Sequence, residues 1–372
     1  MKSAGPLIVQ VVPYYPPHLG GMEVVARSLA EGLAQTGPVL VLTSRSGADG
    51  APHVERHGNL VVRRLATVEG AHLPLMPTLL FHLLRVPRGS VIHAHVAQAY
   101  TPEMVWLASV LRRQRFIAHF HLDVEPSGRL GPLFNLYKRH ILGRTLRAAA
   151  RVVVLTTAQG TFLEDRYGVE SANISTLPNG VAPEFFTEHG AAMQPADAPM
   201  RLLFVGRLAP QKNLPRLLEA MALVTARVDL IIVGDGEERV GLERLRDQLG
   251  LTNVTMVGAQ RGQDLIARYR SADAFVLPSD REGGMPLVIL EAMAAGLPII
   301  ATDVFGTRDT MAQDGILVQP SPSALAEAID RVAADPGLRA ELSRRSRRRA
   351  RAHTWPAVLG RLESVYDIAG AP

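Results

Sequence analysis

The chain reads as strand, loop, helix, strand, and it does so twice. In the first half, short apolar runs at residues 7–12, 39–42, 91–95, 116–121, 152–156 and 174–177 have the length and β-branched content of buried strands. A helical pattern over residues 22–35 lies between the first two. It carries Val25, Leu29 and Leu33 on one face and is stopped by Gly37-Pro38. The alternation restarts at 201–205 and continues through 229–233, 254–257, 274–277 and 298–301. Strands alternating with helices build parallel sheets covered on both faces. Two such series, parted by the Ala-, Pro- and Gly-rich segment 187–200, predict two doubly wound, Rossmann-like α/β domains. The expected boundaries are 1–190 and 191–354. In open sheets of this kind ligands bind beyond the carboxyl ends of the strands, so the expected site is a cleft between the two domains.

Composition narrows the chemistry. The 372 residues suffice for two cores, and 47% hydrophobic with 20% charged residues describes a packed globular chain. Zero cysteines exclude disulfides, thiolate nucleophiles and cysteine metal sites, which suits a reducing cytoplasm. The apolar run 7–12 is short and meets Pro13, so it is not expected to act as a leader. No stretch approaches the length of a membrane span. Residues 1–190 hold 18 Lys+Arg against 13 Asp+Glu, leaving 22 of each for the rest, so the net charge of +5 belongs to the first half. A solvated surface accounts for that excess; an anionic acceptor or membrane would also use it. The arginine run at 344, 345, 347, 348, 349 and 351 lacks interleaved aromatics, and no nucleic-acid partner is expected.

Candidate residues fall at the strand ends. Gly20-Gly21 opens the first helix and permits close approach to its N–H groups. His93 and His95 share one face of a strand, as do His119 and the strand-end His121. With only Asp123 close by, no metal site is expected. Gly206 and Arg207, with Lys212 within the next turn, place two cations where a helix begins, an arrangement suited to a diphosphate. Gly234-Asp235 forms a second small-residue turn. Glu282-Gly283-Gly284-Met285-Pro286 precedes a helix carrying Glu291 among apolar residues. A carboxylate there needs a partner, either ribose hydroxyls or an arginine.

In this order and on these elements the motifs resemble the family-4 retaining glycosyltransferases of the GT-B fold. The resemblance spans nearly the whole chain. It runs from Gly20-Gly21 and His121 through Leu177-Pro178-Asn179-Gly180-Val181, Arg207 with Lys212, Val233-Gly234-Asp235-Gly236 and 291–298 to His353-Thr354-Trp355 with Tyr366. It implies that the last helix, 355–372, crosses back to the first domain. By that resemblance Arg207 and Lys212 hold the donor diphosphate, Glu291 the ribose, and His121 the transferred sugar. Gly20-Gly21 closes on the phosphates from the opposite side, and Glu282 contacts the sugar. The donor-binding set is completed by Gly206, Gly234, Asp235, Gly283, Gly284, Met285 and Pro286.

One spacing departs from the pattern. Eight residues separate Glu282 from Glu291 where the family has seven, so either Glu282 or the backbone of Gly283 fills the first position. The implied reaction moves a hexose from a nucleotide sugar, UDP-linked in preference to GDP-linked, to a hydroxyl of a small molecule, lipid or glycan, with no cofactor or metal required. A sugar-nucleotide epimerase or glycan phosphorylase on the same scaffold is the alternative. The apolar stretch 72–81 reads as a buried helix, or as a point of peripheral membrane contact.

Overall fold

The computed structural model describes residues 5–18, 20–70, 73–121, 131–187 and 198–369. They fall into two compact units, Met1–Asn179 with Trp355–Pro372, and Gly180–Thr354. The division comes after Asn179 rather than at the expected 190, because the chain beyond it is already bound into the second unit. The Val181 amide donates to the His353 carbonyl at 2.7 Å, and the Thr187 hydroxyl to the Ala295 carbonyl at 2.9 Å. The Phe185 ring meets Tyr269 edge-on at 5.4 Å.

The strands of the first unit are β1 (Ile8–Val11), β2 (Val39–Ser44), β3 (Val54–His57), β4 (Leu60–Leu65), β5 (Val68–Gly70), β6 (Leu73–Leu75), β7 (Val91–Val96), β8 (Phe116–Phe120), β9 (Arg151–Val154) and β10 (Ile174–Thr176). Eight of them form a sheet in the order β10-β9-β8-β7-β1-β2-β4-β3, parallel except for the β3–β4 hairpin. Strand β8 is buried along its whole length, as a run of apolar residues covered on both faces should be. The edge strand β3 was not expected: it is largely exposed and charged, and so lacks the apolar signal. The closing helix Trp355–Ile368 belongs to this unit. Its Leu359 fills the space over Gly32, where an added Cβ would come within 2.2 Å of a Leu359 methyl.

The second unit has β11 (Met200–Val205), β12 (Val228–Val233), β13 (Val254–Gly258), β14 (Ala274–Leu277), β15 (Ile299–Thr302) and β16 (Ile316–Val318), ordered β13-β12-β11-β14-β15-β16 and parallel throughout. The sheet therefore grows outward in both directions from β11, the doubly wound pattern. The arginine run lies on the helix Pro336–Ala350, and several of its members are spent inside the unit. Arg349 donates to the Thr310 and Asp309 carbonyls, Arg345 pairs with Glu341, and Arg348 with Asp314.

Candidate active site

In the second sheet the direction of winding reverses between β11 and β14, and the loops leaving those two strands meet there. The amide of Asp280 donates to the Gln211 carbonyl at 2.9 Å, and the Asn213 side chain to Asp280 at 2.9 Å. Arg216 pairs with Asp280 at 2.6 Å. Asn213 adopts φ 44°, and its side-chain oxygen accepts from the Arg216 amide, so one residue turns the loop and caps the helix Leu214–Leu223. At the centre Lys212 Nζ lies 2.5 Å from Glu282 Oε1, and the Ser279 hydroxyl donates to the same oxygen at 2.6 Å. Lys212 is thus paired, and the carboxylate of Glu282 is directed onto Lys212 and Ser279 within its own unit. The reason is electrostatic: a nearly buried ammonium needs a counter-charge, and Glu282 is the carboxylate beside it.

Around this pair the glycines permit close approach of backbone. Gly234 has φ 150°, and a Cβ there would fall 1.8 Å from the Gly206 carbonyl oxygen, so the loops after β11 and β12 touch directly. Asp235 accepts from the Gly236 amide at 2.8 Å. Arg207 is exposed, its nearest carboxylate Glu237 at 3.5 Å. In the 278–286 loop Gly283 is half-buried and Gly284 buried. Met285 is buried as well, and half-buried Pro286 leads into the helix Leu287–Ala294. Glu291, on that helix, accepts from the Tyr269 hydroxyl at 2.7 Å. Among the described residues its hydrogen-bond partner is thus a tyrosine and not an arginine. Desolvation pushes its carboxyl up to about 7, the Tyr269 hydrogen bond partly opposing the rise.

In the first unit Gly20 and Gly21 lead into the helix Gly21–Leu33. The space a Cβ on Gly20 would occupy is filled by the Glu23 carboxylate, 2.2 Å away. Glu23 is buried and bonded to His18 Nδ1 at 2.8 Å. The anion facing this helix start is therefore the chain's own, which the sequence reading missed. Elsewhere β7 and β8 bring four histidines together. His93 Nε2 lies 3.1 Å from His119 Nδ1, and His95 Nδ1 lies 2.8 Å from His121 Nε2. All four are buried. Burial holds every one neutral, with His93 and His121 lowered to about 3.

The sequence and the fold meet their counterparts in known proteins. The family model for group 1 glycosyl transferases matches residues 187–349, and that for the glycosyl transferase 4-like domain matches residues 20–180. The chain belongs to the group 1 glycosyl transferases. It is similar to an uncharacterized glycosyltransferase of Methanocaldococcus jannaschii, 27% identical over 97% of this chain and 98% of that protein. It is also similar to a GDP-mannose-dependent alpha-mannosyltransferase of Mycolicibacterium smegmatis, 29% identical over 94% of each. Among solved structures, sucrose-phosphate synthase from Thermosynechococcus elongatus aligns with a TM-score of 0.78 at 24% identity, covering 98% of this chain and 99% of that one. The Anabaena protein HepE in complex with UDP and glucose aligns with a TM-score of 0.79 at 19% identity, covering 97% and 99%. These likenesses establish the GT-B fold.

Within this transferase the expected residues Gly206, Lys212 and Glu282 converge at the turning point of the second sheet, flanked by Arg207, Gly234 and Asp235. Glu291 lies on the next helix, and His121 belongs to the histidine cluster of the first unit. Ser279, Tyr269 and Gln10 escaped the sequence reading, because a lone hydroxyl or amide gives no pattern until its partner is located.

Proposed function

We propose that the transferase moves a hexose from a nucleoside diphosphate sugar to a hydroxyl acceptor, with the donor diphosphate bound beside Lys212 and Arg207. The observation that carries this reading is the convergence of the loops after β11 and β14 on the Lys212–Glu282 pair. Breaking the anomeric bond leaves negative charge on the diphosphate and positive character on the sugar. A fixed ammonium lowers the energy of that separation in a site with little water. Glu282 holds Lys212 in place before the donor arrives. When phosphate oxygens take over the ammonium, the carboxylate becomes available to the sugar hydroxyls. The Glu291 carboxylate binds the ribose hydroxyls, and transfer proceeds with retention, the leaving phosphate assisting attack from the same face. The cations supply the charge that a metal would otherwise bring, so a chelator leaves turnover unchanged. The relative from Mycolicibacterium smegmatis supports GDP-mannose as donor; UDP-sugars are the other class to test. A thermal-shift panel of UDP, GDP, UDP-glucose and GDP-mannose is decisive, since a ligand bound at a hundred times its Kd stabilises by about 2.7 kcal/mol. No shift with any of the four would refute the donor assignment.

A second observation supports contact with an anionic membrane. The expected buried helix at 72–81 is instead β6 followed by the short helix Leu79–Leu84, on which Phe81 is 52% exposed. Beside it, on the helix Thr101–Arg112, Val110 and Leu111 are each 59% exposed. The two helices adjoin where Arg112 donates to the Leu84 carbonyl. Between residues 73 and 121 the chain carries five arginines, at 85, 88, 112, 113 and 115, and one acid, Glu103, which is engaged by Tyr137. Exposed apolar side chains on adjoining helices of an arginine-rich stretch suit a bilayer with anionic headgroups, where each cation contributes about 1 kcal/mol. Among the described residues no helix is long and apolar enough to cross the membrane. Sedimentation with phosphatidylglycerol vesicles, but not phosphatidylcholine ones, is expected, and Val110→Glu should abolish it. Equal recovery with both lipids would sink the idea.

A further inference from the structure

The histidine cluster has an order that the transfer reaction alone does not require. Strands β1, β7 and β8 are neighbours, with Gln10 opposite His93 and His95 opposite His119 in register. From them two hydrogen-bonded chains run across the sheet. One links the Tyr366 hydroxyl, His93 and His119, at 2.8 and 3.1 Å. The other links the Gln10 amide oxygen, His95 and His121, at 3.3 and 2.8 Å.

A metal ion is the first explanation to weigh, because His93, His95 and His119 bring ligand nitrogens within 4.8 Å of one another. Two features oppose it. Among the described residues, the side chains bonded to the cluster are Tyr366 and Gln10, neither a carboxylate. A divalent ion there would place two uncompensated charges in a site closed to water. The second feature is that the facing nitrogens already satisfy one another as donor and acceptor.

The second chain fixes a tautomer. Gln10 Oε1 has no proton to give, so His95 carries its proton on Nε2. Its Nδ1 is then a bare acceptor, and the proton between His95 and His121 sits on His121 Nε2. His121 is left with an unprotonated Nδ1, and no described residue is bonded to that atom. We propose that Gln10 and His95 are positioning residues that hold His121 as the neutral Nε2–H tautomer, so that it offers a hydrogen-bond acceptor to a sugar hydroxyl. This deepens the reading of His121 as the residue that contacts the transferred sugar and rests on it. The three-residue chain also fixes the plane of the ring, which lies stacked against His119 at 4.2 Å and nearly coplanar with His95, at 13° between the two rings. An acceptor aimed by a rigid stack loses little freedom when the sugar arrives.

The test uses the full chain labelled with 15N-histidine. Long-range proton–nitrogen spectra should show His121 protonated on Nε2 and bare on Nδ1 from pH 6 to 8, with its signals assigned by their loss in His121→Gln. Donor turnover is followed as nucleotide release from UDP-glucose or GDP-mannose. Gln10→Leu should mix the two tautomers and lower kcat about tenfold with KM unchanged. A wild-type His121 protonated on Nδ1 would overturn the proposal without any variant having to fold. So would one stoichiometric zinc ion that is lost in His93→Ala. An unchanged kcat in Gln10→Leu would also overturn it. Full turnover in His121→Ala would overturn the positioning role together with the sugar contact, while leaving the donor site of the second unit standing.

Discussion

The two units place polar side chains at the ends of parallel strands by opposite electrostatic means. In the first, four imidazoles, one amide and one phenol share hydrogen bonds without net charge. In the second, full charges are paired: Lys212 with Glu282, and Arg216 with Asp280. The difference decides how each can be buried. Neutral rings lose little on leaving water once they are hydrogen-bonded, and His93 and His95 are 0% exposed. A charged pair costs far more to enclose, and the Lys212 and Glu282 side chains keep 13% and 6% of their surface. A neutral cluster can therefore fix geometry. A charged pair at a surface can exchange one partner for a ligand of the same sign.

The largest effect should come from breaking the charged pair. Lys212→Ala removes the ammonium proposed to face the departing phosphate and is expected to lower transfer by on the order of 10²-fold or more. Arg207→Ala, at an exposed site, should cost transfer as well, with no loss of fold. Turnover near wild type in both variants would remove the diphosphate from this site. Circular dichroism and melting curves separate lost chemistry from lost structure, because Lys212→Ala also strands the Glu282 carboxylate.

Acid should expose the neutral cluster next. A histidine in the unfolded chain binds a proton near its ordinary 6.5, whereas His93 and His121 in the folded unit do so only at about 3. Between those values the unfolded chain holds more protons, so stability from the cluster is full above pH 6.5 and is lost as pH falls toward 3. Hydrogen exchange at pH 5 against pH 7.5 should show β7 and β8 opening more readily in acid, with β11 and β14 little changed. Equal protection of β7 and β8 at both values would contradict the burial argument.

A third, smaller effect follows from sharing. Glu282→Gln leaves Lys212 without its counter-charge and so should bind the bare nucleoside diphosphate a few times more tightly, while transfer slows. Calorimetry with UDP and GDP reads the first change and donor turnover the second. Weaker nucleotide binding in Glu282→Gln would mean that the carboxylate orients the lysine rather than competing for it.

The fold was legible because both sheets are built from continuous apolar runs, and such runs announce buried parallel strands without reference to the rest of the chain. The β3–β4 hairpin was not, since an exposed edge strand such as Val54–His57 carries charge where the code expects burial. The site was legible as far as its backbone. Gly206 and Gly234 mark strand ends that lie side by side. What the residues do with their side chains was not, because pairing is a tertiary fact. Nothing in the spacing of Lys212 and Glu282 says that they touch, and Glu291 gave no sign that Tyr269, 22 positions earlier, would meet it. The division after Asn179 was hidden for the same reason: the linker composition lies at 187–200, and what binds residues 181–187 to the second unit is contact with positions far along the chain.

The last effect is the finest and concerns a carboxyl near its midpoint. Glu291 titrates at about 7 because desolvation penalises its charged form, and the Tyr269 hydroxyl only partly compensates. Ribose hydroxyls would add two further donors to the ionised form, so nucleotide binding should pull the proton off. Affinity for UDP or GDP should then rise as pH goes from 6 to 8, at most about tenfold for one coupled proton. The proton released should appear in calorimetry as a heat that depends on the buffer. In Glu291→Gln the affinity should be weaker and flat across the same range. Tyr269→Phe sharpens the test, since losing its hydrogen bond to the carboxylate raises the Glu291 midpoint and moves the rise in affinity to higher pH. The fold sets the opposite sign for stability: the folded carboxyl holds its proton where the unfolded one, near 4.5, has lost it. The second unit therefore loses stability as pH climbs from 4.5 to 7, in contrast to the acid-sensitive first unit. A nucleotide affinity independent of pH in the wild type would show that Glu291 is not what holds the ribose.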